Sequence, residues 1–283
     1  MNRLPARKTL RRALALLITL AAVPVATATT AAGEPTWDSS TRPTTAGPPY
    51  VFTTALMDGR QVGKPLTNVA VINRTEHGYV YRAGSQDNHL VVTRVRGGLR
   101  FADSATRRFK HLAPTCRRAR AKRGVAAVCR VPKEISTRQP LLVEVWPRIG
   151  DDFLDTSKLP ATFAVTMLGD LGHDVARFGP GADFFNGHSG RDRVWGGAGE
   201  DWIRAGDDAD RIFGGSGNDY LVGMNHADQI RGGDGDDRLF GMDGNDRLYP
   251  GAGTDRASCS TGIDLAWVDA NDWVRDCETV TRD

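Results

Sequence analysis

From residue 169 the chain holds one apolar residue every nine positions: Ala176, Phe185, Val194, Ile203, Ile212, Leu221, Ile230, Leu239, Leu248 and Ala257. Each follows by two places an aspartate, at Asp174, Asp183, Asp192, Asp201, Asp210, Asp219, Asp228, Asp237, Asp246 and Asp255. An unbroken period of this kind implies a solenoid. The apolar residue and its two neighbours predict a three-residue strand with the middle side chain facing in, because alternation sends its neighbours outward. The apolar column is therefore the expected core of residues 169–258.

Upstream the pattern changes. The runs YVFTTAL, TNVAVIN, GYVYRAG, NHLVVTRV, LLVEVW and ATFAVTML are β-branched or aromatic, short, and separated by Gly, Pro, Asn and Asp. They predict a β-rich block over residues 50–140 and a transitional coil over 141–168. IGDDFLD (149–155) places Asp152 and Leu154 like a decayed repeat, so the solenoid is expected to begin near Leu141. Residues 29–49 are rich in Thr and Pro and read as a linker. At the start, Arg3, Arg7, Lys8, Arg11 and Arg12 precede an apolar run from Ala13 to Val25 and the triplet Ala26-Thr27-Ala28. Residues 1–28 thus read as a signal peptide cleaved after Ala28, with Ala32 as the alternative, serving the general secretion route. Arg11-Arg12 hints at a twin-arginine signal, but Leu10 stands where Ser or Thr is usual.

Glycine and charge give the repeats a chemistry. Blocks such as GGAGEDWIR (196–204), GGSGNDYLV (214–222) and GGDGDDRLF (232–240) put glycine at positions 1, 2 and 4 and aspartate at position 6. Glycine permits a tight turn with positive φ whose carbonyls point at a cation, and aspartate adds an anionic oxygen. Residues 169–283 carry 23 acidic side chains against 11 arginines and no lysine, a net of −12, in a chain of net +3. Without cations such a segment repels itself, so folding coupled to metal binding is expected.

The blocks resemble the RTX, or haemolysin-type, calcium-binding nonapeptide. The resemblance covers ten blocks in phase and implies an all-β chain: a right-handed parallel β-roll, preceded by a β-rich domain, with two blocks per coil and several Ca2+ ions between stacked turns. The upstream stretch, NHLVVTRVRGGLRFAD followed by a cysteine pair, is similar to the β-rich segment of secreted actinobacterial calcium-binding proteins. Blocks two apart would share a row. One row keeps glycine at positions 2 and 4 throughout, so the stronger sites are expected at Asp183, Gly197, Gly199, Asp201, Gly215, Gly217, Asp219, Gly233, Gly235, Asp237 and Asp255. In the other row Asp170, His188, Met224, Met242, Asp208 and His226 replace glycines, so Asp174, Asp192, Asp210, Asp228 and Asp246 are expected to be weaker. Four ions rather than eight follow from that asymmetry.

Four cysteines in an exported chain read as disulfides, with local pairing Cys116–Cys129 and Cys259–Cys277 favoured over the two other connectivities. No CxxC spacing or histidine pair supports zinc. The second bridge would staple a cap over residues 259–283, closing an open solenoid end. Arg117, Arg118, Arg120, Lys122 and Arg123 form a basic loop, read either as a polyanion site or as a solvated loop; without interleaved aromatics it offers nothing for sequence-specific nucleic-acid binding. Position 7 of the glycine-rich blocks, Phe184, Trp202 and Tyr220, is either an exposed docking strip or a structural stack. The chain has no HExxH motif, and its nearest approach to GxSxG, at Gly187-His188-Ser189-Gly190-Arg191, breaks at Arg191. The expectation is a secreted, non-enzymatic calcium-binding structural or adhesion module. The alternative is a calcium-dependent hydrolase with its site in residues 50–168.

Overall fold

A computed structural model describes residues 66–282. The expected leader, the linker and residues 50–65 lie outside the described residues. Every described element is a β-strand, and the strands form two sheets of 11 and 12 strands.

The chain alternates between the sheets. Phe184–Ser189, Trp202–Asp207, Tyr220–Asn225, Arg238–Asp243 and Arg256–Thr261 lie side by side in the 11-stranded sheet. Arg193–Ala198, Arg211–Ser216, Gln229–Asp234 and Arg247–Ala252 do so in the 12-stranded one. Pairing is parallel, and each residue meets the one 18 positions on, as Ile203 meets Leu221 and Ile212 meets Ile230. One coil is therefore two nonapeptides, and the glycine-rich turns form two rows on opposite edges of the roll.

The strands are six residues long rather than three. They run through positions 7, 8 and 9 and on through 1, 2 and 3 of the next block, because the first glycines keep the parallel register, as Gly197 with Gly215. Alternation then turns two positions inward, 8 and 1. Position 8 is the apolar column, with Val194, Ile203, Ile212, Leu221, Ile230, Leu239 and Leu248 all fully buried. Position 1 is glycine or alanine except at Phe178 and Pro250, and at the glycines the missing side chain makes room for the aspartate of the same block.

The stacking continues toward the N-terminus. Phe163–Leu171 pairs with Phe184–Ser189, Leu141–Trp146 pairs with Phe163–Leu171, and Gly78–Arg82 pairs with Leu141–Trp146, all parallel. In the other sheet Val175–Arg177, Phe153–Asp155 and His89–Val95 follow in the same way. Antiparallel pairing appears only beyond that point, where Val69–Arg74, Gly98–Asp103, Cys116–Ala119 and Val125–Cys129 complete the sheets. A single apolar core runs from Ile72, Tyr79, Tyr81 and Phe101 through Leu154 and the repeat column to Val268. Hydroxyls anchor its wide end: Tyr81 donates to Asp103 Oδ2 at 2.6 Å and Tyr79 to the Arg130 carbonyl at 2.7 Å.

Both disulfides join the expected partners, Cys116–Cys129 and Cys259–Cys277. The first ties Cys116–Ala119, the outermost strand of the 12-stranded sheet, to its neighbour. Arg117 and Arg118 lie on that open edge and Arg120, Lys122 and Arg123 in the turn beyond it, all exposed. Charged side chains in this position keep a free edge from pairing with another chain.

Phe184, Trp202 and Tyr220 do not form an exposed strip. They are buried, packed edge to face at 5.3 and 5.9 Å. With Leu168 and Val222 they make a second apolar cluster, flanked by Trp146, Met224, Phe240 and Met242. The large apolar residues at positions 9 and 2 of the neighbouring blocks cover the rings, which periodicity at position 7 alone does not reveal.

Candidate metal centre

Each repeat aspartate points inward, at the foot of its turn. Its Oδ1 accepts the backbone N–H of the aspartate one coil earlier, except at Asp183, which accepts that of Val165 at 2.6 Å. In one row the amides of Asp183, Asp201, Asp219 and Asp237 reach Asp201, Asp219, Asp237 and Asp255 at 2.7 to 2.9 Å. In the other, Asp174, Asp192, Asp210 and Asp228 reach Asp192, Asp210, Asp228 and Asp246 at 2.7 to 2.8 Å. The expected aspartates are thus brought together, as two ladders with one carboxylate per layer.

The second oxygen is the informative one. Oδ2 of Asp174, Asp192, Asp210, Asp219, Asp228, Asp237, Asp246 and Asp255 is buried and accepts no hydrogen bond. Burying a charged oxygen without compensation is expensive. The cost shows in the titration of these groups, which desolvation pushes up to about 8 at Asp192, Asp210, Asp228 and Asp237 and to about 7 at Asp219. The hydrogen bond at Oδ1 opposes that rise, and neighbouring carboxylates of the ladder add to it.

At the position-1 glycines the aspartate Oδ2 closes in on the backbone. A methyl group built on Gly196 would lie 2.3 Å from Asp201 Oδ2 and 2.6 Å from the Gly214 carbonyl oxygen of the next layer. At Gly214 the corresponding oxygens are Asp219 Oδ2 at 2.2 Å and the Gly232 carbonyl at 2.8 Å. A carboxylate oxygen and a carbonyl oxygen thus converge on the glycine Cα, an approach that a Cβ at Gly196 or Gly214 would block. Among the described residues no group of three or more His, Cys, Asp or Glu side chains could hold a metal ion. A cation here would need main-chain oxygens beside the aspartates, a donor set of hard oxygens that suits calcium and not zinc.

The turns share their backbone in both rows. From Gly197 onward the glycines at positions 2 and 4 of one row have positive φ, 102° at Gly197, 113° at Gly199, 121° at Gly215 and 123° at Gly217, whereas Gly179 and Gly181 of its first block do not. Asp170, His188, Met224 and Met242 at position 2 of the other row, and Asp208 and His226 at position 4, hold φ between 76° and 98°. Side chains rarely adopt this region, at a cost of roughly 1–2 kcal/mol per residue. The rows therefore differ in the strain of the turn and not in its shape.

The repeat turn stacks every 18 residues, with its aspartate buried. Residues 186–221 and 222–257 match the family model described as the RTX calcium-binding nonapeptide repeat. These segments are RTX repeats. No curated protein and no solved structure matches the chain. The RTX match carries calcium binding and a β-roll module with it, and the ladders extend the same geometry beyond the matched residues on both sides.

Beyond the ten periodic aspartates the ladders take in Asp152, which the sequence already placed like a decayed repeat, and Asp264 and Asp272, which sequence reasoning missed. Asp264 lies nine residues beyond Asp255, and its Oδ1 accepts the Asp246 amide at 2.7 Å. Gly262 stands at the matching position 4 and buried Ala266 at position 8, so the period itself held the signal one block further. Asp272 accepts the Asp255 amide at 3.0 Å, but one residue short of the period, where no fixed spacing would find it. Asp152 accepts the amide of Asn88 at 2.6 Å and donates its own to Asp174 at 2.9 Å, joining the RTX ladder to the N-terminal strands.

Ser189 and His188, the pair nearest a hydrolase motif, are chain neighbours in a turn, with Oγ 3.0 Å from Nδ1.

Proposed function

We propose that this chain is an exported protein whose RTX turns hold several calcium ions between layers and whose roll is a rigid structural module only where calcium is plentiful. The observation that carries the reading is the buried Oδ2 of Asp174, Asp192, Asp210, Asp219, Asp228, Asp237, Asp246 and Asp255, which accepts no hydrogen bond. A divalent cation drawn to these oxygens would compensate the carboxylates of adjacent layers, while the carbonyls of the turns complete its shell. Calcium supplies charge neutralisation and cross-links adjacent coils. The chain's own residues supply spacing, desolvation and the preformed left-handed turns.

The row of Asp183, Asp201, Asp219, Asp237 and Asp255 is the stronger one, because its glycines adopt the turn without strain. The row of Asp174, Asp192, Asp210, Asp228 and Asp246 offers the same oxygens on a costlier backbone. The two disulfides and the basic, apolar start of the chain support export to an oxidising compartment. A stiff roll with charged outer faces suits a structural or adhesive role.

Calcium titrated into the chelator-treated full chain, followed by calorimetry and far-UV circular dichroism, tests this. Saturable heat at several sites with a gain of β signal is the expected result, and a stoichiometry near four supports the row asymmetry. Full β signal with a sharp melt in chelator, unchanged by calcium, would refute the folding switch.

A further inference from the structure

The outer face of the 12-stranded sheet carries two ladders, side by side. At position 9, planar groups stack continuously: Trp195 lies on Phe213 at 5.3 Å, Arg231 lies over both Phe213 and Tyr249, and Tyr249 lies on Trp267 at 4.6 Å. Arg177 covers the other face of Trp195. At position 7, two residues away on the same strands, Arg193, Arg211, Gln229 and Arg247 stand in direct register. Val175 precedes them and Leu265 follows.

The three arginines of this second ladder are exposed, and neither they nor Arg191 form an ion pair among the described residues. Like charges in register on adjacent strands cost stability. That cost is borne in a segment of net −12, where a carboxylate partner would be easy to supply. With Arg191 and His173 the ladder lines a groove of about 530 Å3, whose wall includes the edges of Asp192 and Asp210.

We propose that this groove binds a linear anionic polysaccharide lying along the axis of the roll. Its rungs are spaced at about 4.8 Å, so the ladder spans about 14 Å, comparable to a few sugar units of an extended chain. Guanidinium groups match carboxylate and sulfate oxygens with paired hydrogen bonds. Gln229, a neutral donor and acceptor in mid-ladder, suits a hydroxyl. A single-stranded nucleic acid is disfavoured because it needs free ring faces for its bases, and the faces of Trp195, Phe213 and Tyr249 are taken by their neighbours in the stack. The groove's acidic wall adds a dependence that rests on the calcium reading: cations at Asp192 and Asp210 would remove the repulsion between those carboxylates and the ligand.

The test uses the full chain in calcium and a labelled chondroitin sulfate oligosaccharide, with a neutral cello-oligosaccharide and oligothymidylate as comparisons. Binding of the sulfated chain alone is expected, weakening as salt rises. Arg211→Gln with Arg247→Gln should weaken it by about tenfold or more, as loss of two charge-assisted contacts, with the circular dichroism unchanged. Arg117→Gln with Arg120→Gln, which removes the same charge elsewhere, should leave it within about twofold, since distant exposed charges are screened. Equal losses in the two double variants, or tighter binding of oligothymidylate or the neutral sugar, would overturn the proposal. Absence of binding by a chain whose dichroism does respond to calcium would overturn the groove and leave the calcium reading standing. Absence of the dichroic response would strike the calcium reading, while binding in chelator would retain the groove.

Discussion

Asp237 accepts the backbone N–H of Asp219 through Oδ1 at 2.8 Å, while the charges of the same two side chains repel each other. The hydrogen bond fixes the spacing of two carboxylates that would otherwise separate, and it leaves Oδ2 of each without a donor. Stability and cation demand thus arise from one contact, and substitutions can divide them.

Asp219→Asn keeps an oxygen for the Asp201 amide and removes the charge. It should weaken calcium binding while leaving the calcium-free fold as stable or more so. Asp219→Ala removes the acceptor as well and should cost about 1–3 kcal/mol in either condition, the penalty for a buried amide left unpaired. Calorimetry and thermal melts with and without calcium separate the two outcomes.

Acid should substitute for calcium. Desolvation, the largest cause, lifts Asp192, Asp210, Asp228 and Asp237 to about 8, whereas the unfolded chain titrates near the ordinary aspartate value of 3.8. The folded state then binds more protons than the unfolded one, so stability in chelator falls as pH rises. It is fully present below about pH 4 and lost progressively up to about pH 8, the folded value at these four residues. Denaturation midpoints measured in chelator across that window should decline steadily, and saturating calcium should flatten the profile. A midpoint that rose with pH in chelator would contradict the assignment.

Gly214→Ala should impair calcium binding more than its small size suggests, because its methyl group would fall 2.2 Å from Asp219 Oδ2. Asp208→Gly acts in the opposite sense. Asp208 is exposed with φ of 79°, and its charge raises the titration of Asp192 and Asp210. Relief of that strain should add about 1 kcal/mol of stability, read as a higher melting temperature, and should tighten the weaker row.

Loss of the Cys259–Cys277 bridge, by serine at both positions, should cost about 3 kcal/mol through the freedom returned to the unfolded chain. The effect should fall on the last coils, so hydrogen exchange should quicken at Arg256–Thr261 and Leu265–Val268 before it does at Trp202–Asp207.

The period of the aspartates and of the apolar column made the solenoid and its core legible before any coordinates, and the resemblance to the RTX nonapeptide implied the coil of two blocks. Three features were not legible, for physical reasons. Whether Trp202 is covered depends on Val222, Met224, Phe240 and Met242 from other layers, and an outward position in one block says nothing of what its neighbours lay across it. The Arg193, Arg211, Gln229, Arg247 ladder was visible as a string, but that its arginines form no ion pair among the described residues is a matter of side-chain geometry. The runs from TNVAVIN to ATFAVTML read correctly as strands, while YVFTTAL lies outside the described residues. That they continue both sheets of the roll depends on hydrogen bonds such as Asn88 to Asp152, between residues 64 positions apart, which no local pattern encodes.

The terminal disulfide also decides how the rod carries load. Cys259 lies on Arg256–Thr261, and Cys277 lies between the last strands of the two sheets. Tension entering at the C-terminus reaches Cys277 and passes through sulfur to Cys259, bypassing the intervening loop. Thr279–Arg282, beyond the bridge, can be drawn off, but Leu265–Val268 and Trp273–Arg275 inside it cannot be peeled away link by link. The pull arrives instead within a strand held in register along its length, where many hydrogen bonds must yield together.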